Sequence, residues 1–159
     1  MWKGILRWVA TSNPQYKTFF GPVSISQEYN ALSKNLIVQY LRRKLGNPEF
    51  SAFVKPRNPF KPKRILGLEK TAISQNLRST EEVSALVSEI EEDGKGVPML
   101  IKHYLKMNAT LLSFNIDPDF SDVLDGLLMS DMTTTDPKLL KLYMGEELRD
   151  QFLAFHQKP

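Results

Sequence analysis

Cysteine is absent from all 159 residues. That one absence removes disulfides, thiolate nucleophiles and cysteine-built zinc sites together. Histidine is nearly as scarce, with only His103 and His156. They lie far apart without a metal-spaced neighbour, so no imidazole ligand set is expected. No apolar run approaches the roughly 20 residues that a membrane-crossing helix needs. The first ten residues are too short for a signal peptide and lack a small-residue cleavage site. The G-x-S-x-G elbow, the P-loop and the dinucleotide fingerprint are all missing. His103 is followed at the critical spacing by Asn108 rather than aspartate, so the H-x4-D acyltransferase motif is missing too. There are no repeats and no low-complexity tracts.

Hydrophobic residues make up 42% and charged residues 25%, ordinary values for a chain that buries one core. The net charge of +3 is too small to imply nucleic-acid binding by itself, and no nucleic-acid motif supports it.

The densest local signals fall in residues 94–132. Gly94 and Gly96 loosen the backbone and Pro98 suits a first helical turn, while Val97, Leu100, Ile101, Tyr104 and Leu105 have a spacing that predicts a helix with one apolar face. Residues 109–116 read as a buried strand. Asp117-Pro118-Asp119 breaks it, because proline fixes φ and aspartate bonds its own turn backbone. Residues 124–132 read as a second, adjacent strand, with Leu111 and Phe114 in the core. Asp117, Asp119, Asp122, Asp125 and Asp131 crowd this hairpin. They lack EF-hand spacing, and turn structure accounts for them, so no metal is expected.

Before this unit, residues 2–10 form an amphipathic helix with Trp2, Ile5, Leu6 and Val9 on its apolar face. Residues 16–26 read as a strand, and Gly21-Pro22 predicts a bulge or an edge. Alternation puts Ser24 and Ser26 on one face, most simply its wet face. Residues 27–45 read as a helix with Leu32, Leu36, Ile37, Tyr40 and Leu41 inside. Arg42, Arg43 and Lys44 complement its negative end, and Gly46 sits at the C′ position.

Residues 47–68 carry prolines at 48, 56, 59 and 62, so regular structure is not expected. Lys55, Arg57, Lys61, Lys63 and Arg64 are interleaved with Phe50, Phe53 and Phe60, and Glu49 is the sole acid. Together with Arg42, Arg43 and Lys44 they form a candidate surface for an acidic protein or an anionic membrane. An ordered loop with solvated cations explains the same composition. Residues 79–93 form an acidic helix opened by the capping box Ser79 and Glu82, with Val83, Leu86, Val87 and Ile90 inside. Its acidic face is a solvated one, or one laid beside the basic stretch. Two further helices follow, one after Thr135-Asp136-Pro137 using Leu139, Leu140, Leu142 and Tyr143, the other over residues 146–155 using Leu148, Phe152, Leu153 and Phe155.

Two segments resemble a known family. GVPMLIKHYLKMNATLLSFNIDPDFSDVLDGLLMSDM, residues 96–132, and FGPVSIS, residues 20–26, are similar to the lipid N-acyltransferases of GNAT fold. These are the ornithine-lipid and glycine-lipid synthases and related acyltransferases labelled haemolysin. The resemblance implies an α/β fold, a mixed sheet flanked by helices, with the chain as one domain or the later part of one. In that family an N-terminal half with an ELGRSFV-like signature precedes these segments, and nothing here matches it. The expectation is that this chain alone turns over little substrate.

The implied reaction moves a long acyl chain from an acyl carrier protein thioester to the amine of an amino acid, with no bound cofactor. The implied place is the cytoplasm, including the inner membrane face. Matching positions for a site are Ser24, Ser26, Lys102, Tyr104, Asn115, Asp117, Asp125 and Asp131. A non-catalytic module that binds membrane or protein is the alternative.

Overall fold

The structure is a computed structural model that describes residues 2–62 and 78–157. Lys63 and Arg64, and the side chain of Trp2, lie outside the described residues. Among these residues, helices flank one three-stranded sheet, as the sequence predicts for an α/β chain. The strands are β1 (Thr18–Ile25), β2 (Thr110–Asp117) and β3 (Val123–Asp131), in the order β1-β3-β2. Both ladders are antiparallel. Apart from the sheet's ladders, Gly46 forms an isolated parallel bridge with Leu111.

β2 and β3 are the adjacent strands expected from residues 109–132, each displaced by one residue. Leu111 and Phe114 are both 3% exposed. Between them, Asp117 accepts a hydrogen bond from the Asp119 N–H at 3.0 Å, and Pro118 opens a short 3-10 turn. β1 is an edge strand, which suits Gly21-Pro22, and its register with β3 runs unbroken through both residues. The irregularity lies instead in β2, between Leu111 and Ser113.

The helices are α1 (Trp2–Ser12), α2 (Ala31–Leu45), α3 (Pro48–Ser51), α4 (Thr80–Ile90), α5 (Met99–Lys106), α6 (Pro137–Met144) and α7 (Glu146–His156). α2 begins at Ala31 rather than Gln27. The Asn30 side chain caps it by accepting from the Leu32 N–H at 2.9 Å, and the preceding residues are held elsewhere. Tyr29 donates its hydroxyl to the Gly96 carbonyl at 2.7 Å, and the Asn30 N–H donates to Glu91 at 2.9 Å. That second bond buries Glu91, which the acidic-face reading leaves in solvent; Lys95 pairs with it at 3.8 Å.

Other expectations change. α3 forms inside the proline-rich stretch, because Asn47 caps it and Pro48 sits in its first turn. Gly46 is extended, at φ −65 and ψ 135, so it is not a left-handed C′ glycine. In α1 the buried set is Leu6, Val9 and Ala10 while Ile5 faces solvent, and in α6 Leu142 is exposed and Met144 buried.

One core joins the inner sheet face, through Val23, Ile25, Leu111, Phe114, Leu124 and Leu128, to helix residues such as Ile37, Leu41, Val83, Val87, Ile101 and Leu140. The capping box at Ser79 and Glu82 forms as predicted. The N–H groups of Arg78 and Ser79 hold the Glu82 carboxyl below the usual carboxylate range.

Candidate functional site

Alternation along β3 puts Gly126, Leu128 and Ser130 inside and leaves Asp125, Leu127, Met129 and Asp131 half-exposed on the outer face. Their partners on β1 are Ser24, Pro22, Phe20 and Thr18, each exposed. The outer face therefore carries two apolar rows, Phe20 with Met129 and Pro22 with Leu127. Beside them lies a polar row made of Ser24, Asp125 and Asn115 across all three strands. The Ser24 hydroxyl donates to Asp125 Oδ1 at 2.6 Å. Asn115 accepts from the Asn58 N–H at 2.7 Å, which ties the row to the loop beyond β2.

The structure thus brings three sequence candidates together and separates the others. Ser26 lies just past β1 and is half-exposed; its hydroxyl oxygen accepts from the Glu28 N–H at 3.2 Å. Asp117 is committed to its turn. Asp131 stands at the opposite end of β3. Burial pushes its carboxyl up, but the hydroxyl and N–H of Thr133 and the ammonium of Lys17 outweigh this and hold it below the usual range. Lys102 and Tyr104 belong to α5. Lys102 donates to Ser84 Oγ on α4 at 2.9 Å. Tyr104 points into the core, and burial raises its pKa, so the phenol stays protonated at neutral pH. It can donate a hydrogen bond there; it is a poor base. His103, given no role by the resemblance, contacts the Tyr143 hydroxyl at 3.3 Å.

An open surface depression of about 350 Å³ lies between α1 and β1, lined by Trp8, Val9, Asn13, Tyr16, Thr18, Phe19 and Phe20. It has an apolar, aromatic wall and no acid or base. Phe20 belongs both to this wall and to the apolar rows beside Ser24. Among the described residues, no group of three or more histidine, cysteine, aspartate or glutamate side chains converges as metal ligands.

Basic residues Arg42, Arg43, Lys44, Lys55, Arg57 and Lys61 are all exposed. The Arg42 guanidinium also stands 5.6 Å from the centroid of the Phe114 ring. Of the three interleaved aromatics, Phe60 packs against the core, whereas Phe50 and Phe53 are exposed. No helix among the described residues is long and apolar enough to cross a membrane.

Sequence reasoning overlooked Asn58 and Lys17. Asn58 pins the loop to β2 from 57 positions away, and no local pattern announces such a contact. Lys17 sits just before β1, and the Thr18–Asp131 register makes it a partner of Asp131. Only the strand pairing reveals that neighbour. Compared with protein-family models, with curated proteins and with solved structures, the chain matches none.

Proposed function

We propose that this chain carries strands of an N-acyltransferase domain, in which a long acyl chain passes from an acyl carrier protein thioester to the amine of an amino acid. One observation carries the reading. The two segments that resemble lipid N-acyltransferases are far apart in sequence yet pair as neighbouring strands, and their polar side chains meet where Ser24 bonds Asp125 across 101 positions.

The chemistry asks little of the protein. A free amine attacks the thioester carbon, the carbon–sulfur bond breaks, the thiol leaves and the amine proton passes to a base or water. Asp125 is a half-exposed carboxylate that can hold the incoming ammonium beside the thioester, with water taking up the proton. Ser24 orients the carboxylate through its hydroxyl, and Asn115 is the register neighbour of Asp125 on β2. Phe20, Pro22, Leu127 and Met129 form an adjoining apolar strip for the acyl chain, leading toward the open aromatic depression. No covalent enzyme intermediate is needed, which fits a chain without cysteine.

The test is mass spectrometry of lipids from cells expressing the full-length gene, with Asp125→Asn alongside. N-acylated amino-acid lipids that appear with the native gene and fall away in the variant are the expected result. Their absence at matched expression would overturn the reading and leave a non-catalytic binding module.

A further inference from the structure

We propose that residues 50–61 form an anionic-membrane docking surface, in which Phe50 and Phe53 enter the lipid interface while Lys55, Arg57 and Lys61 engage acidic headgroups. This goes beyond the acyl-transfer reading and does not depend on it. The first observation is exposure. Phe53 is 84% exposed and Phe50 42% exposed, on a chain that had a core available and used it for Phe60. A phenylalanine left in water forgoes a burial worth about 1.5–3 kcal/mol.

The second observation is alternation. Val54 and Pro56 are half-buried, whereas Phe53, Lys55 and Arg57 are exposed. That pattern of two directs an aromatic ring and two cations away from the body of the domain. The third is support. Ser51 Oγ donates to the Leu111 carbonyl at 3.4 Å, the Ile116 N–H donates to the Asn58 carbonyl at 2.8 Å, and Pro59 bridges to Asn115. The segment is thus laid along the outer edge of β2 from both ends. Little ordering remains to oppose binding.

Charge alone would suit an acidic protein equally well. The exposed phenylalanines decide for lipid, because an interface that takes up aromatic rings beside phosphates or carboxylates offers both halves of the recognition. Arg42, Arg43 and Lys44 are exposed a few residues before this segment, and Glu49 is the single acid between residues 42 and 61.

The experiment is sedimentation of the protein with phosphatidylcholine vesicles, with and without phosphatidylglycerol as a third of the lipid, at low and high salt. Binding to the anionic vesicles at low salt is expected, with loss as the screening length shrinks from about 10 Å at 0.1 M to about 3 Å at 1 M. Neutralising Lys55, Arg57 and Lys61 together to glutamine should weaken partition about a hundredfold, since each cation near such a surface contributes about fivefold. Phe53→Ser should weaken it about tenfold, and Phe53→Leu should restore most of the loss. Far-UV spectra of the variants control for folding.

Four results would each overturn the proposal. One is equal binding to vesicles without the acidic lipid, and another is no change on neutralising the three cations. The third is a Phe53→Ser variant that binds as well as the native chain. Capture of acyl carrier protein without vesicle binding would assign the surface to a protein partner, and would also overturn it.

Discussion

The ring of Phe114 lies against Gly126, its cross-strand partner, so closely that a β-carbon on Gly126 would stand 3.0 Å from ring atom Cε1. Val23 of β1 closes the other side of Gly126, its Cγ1 3.6 Å from the same position. An aromatic ring thus fills the gap that glycine leaves in the central strand. Replacing Phe114 by alanine should cost about 3–5 kcal/mol in chemical denaturation, as core aromatic truncations do. Gly126→Ala should cost about 1–3 kcal/mol by overpacking. Because the two residues share one space, Phe114→Leu combined with Gly126→Ala should lose less than the sum of its parts. A loss under about 1 kcal/mol for Phe114→Ala would mean that the ring is not part of the core.

Gly46 and Gly4 make a matched pair of opposite sign. A β-carbon on Gly46 would collide with the Arg42 carbonyl oxygen, although the backbone there is one that any residue adopts. Gly4 lies within α1 with nothing near its missing side chain. Gly46→Ala should therefore destabilise by about 1–3 kcal/mol, and Gly4→Ala should stabilise by about 0.5 kcal/mol. Equal effects in thermal melts would remove the close approach as the reason for Gly46.

This contrast marks what a sequence can tell. Glycine after a run of basic residues signals a helix end, and α2 does end there; whether conformation or crowding requires the glycine depends on where the Arg42 carbonyl lies. The strands β2 and β3 were legible because Asp117-Pro118 punctuates two apolar runs, and the capping box of α4 because its partners lie three residues apart. The polar row was half legible. Alternation gave the shared face of Ser24 and Ser26, but the Ser24–Asp125 bond depends on a strand register set across 101 positions. Single-stripe reasoning also misjudged α2, which touches both α4 and β2. It buries Ser33, Asn35 and Val38 beyond the predicted stripe.

Ser33 supplies a test of that second buried side. It is fully buried, and its hydroxyl has no hydrogen-bond partner among the described residues. Ser33→Ala removes the unpaired polar atom and raises helix propensity, while losing only one small atom of packing. A gain of about 1 kcal/mol is expected in urea titration. A loss of that size would show that the hydroxyl is paired in solution.

Asp131 links the sheet to pH. Its carboxyl accepts from the Thr133 N–H at 2.9 Å and the Thr133 hydroxyl at 2.6 Å, with Lys17 at 3.5 Å. These interactions outweigh burial, so its pKa in the folded chain lies below the ordinary carboxylate value. A depressed folded pKa means a contribution fully present above the unfolded pKa and lost as pH falls through the folded one. Asp131→Ala should cost about 1 kcal/mol at neutral pH, a typical loss for a capping side chain. The gap from the native chain should close below the ordinary carboxylate range. Melting curves of both proteins across acid pH check this, and a gap that widens on acidification would reverse the sign assigned here.

Ser24 and Asp125 carry the proposed chemistry, and their exposure makes them unusually clean to test. Both lie on the outer face, so substitution should leave the melting temperature nearly unchanged. Asp125→Asn keeps the shape and removes the charge that would hold an ammonium. Losing one charge-assisted hydrogen bond corresponds to about 1.5–3 kcal/mol, so kcat/KM for the amine should fall roughly ten- to a hundredfold. KM for the acyl donor should move little. Ser24→Ala removes a neutral donor that only orients the carboxylate, and about fivefold is expected from a bond worth about 1 kcal/mol. The assay is acyl transfer from carrier-protein thioester by the full-length gene product, with amine and donor varied separately. If Asp125→Asn retains the native kcat/KM for the amine, the carboxylate is a strand-face residue and the acceptor site must lie elsewhere.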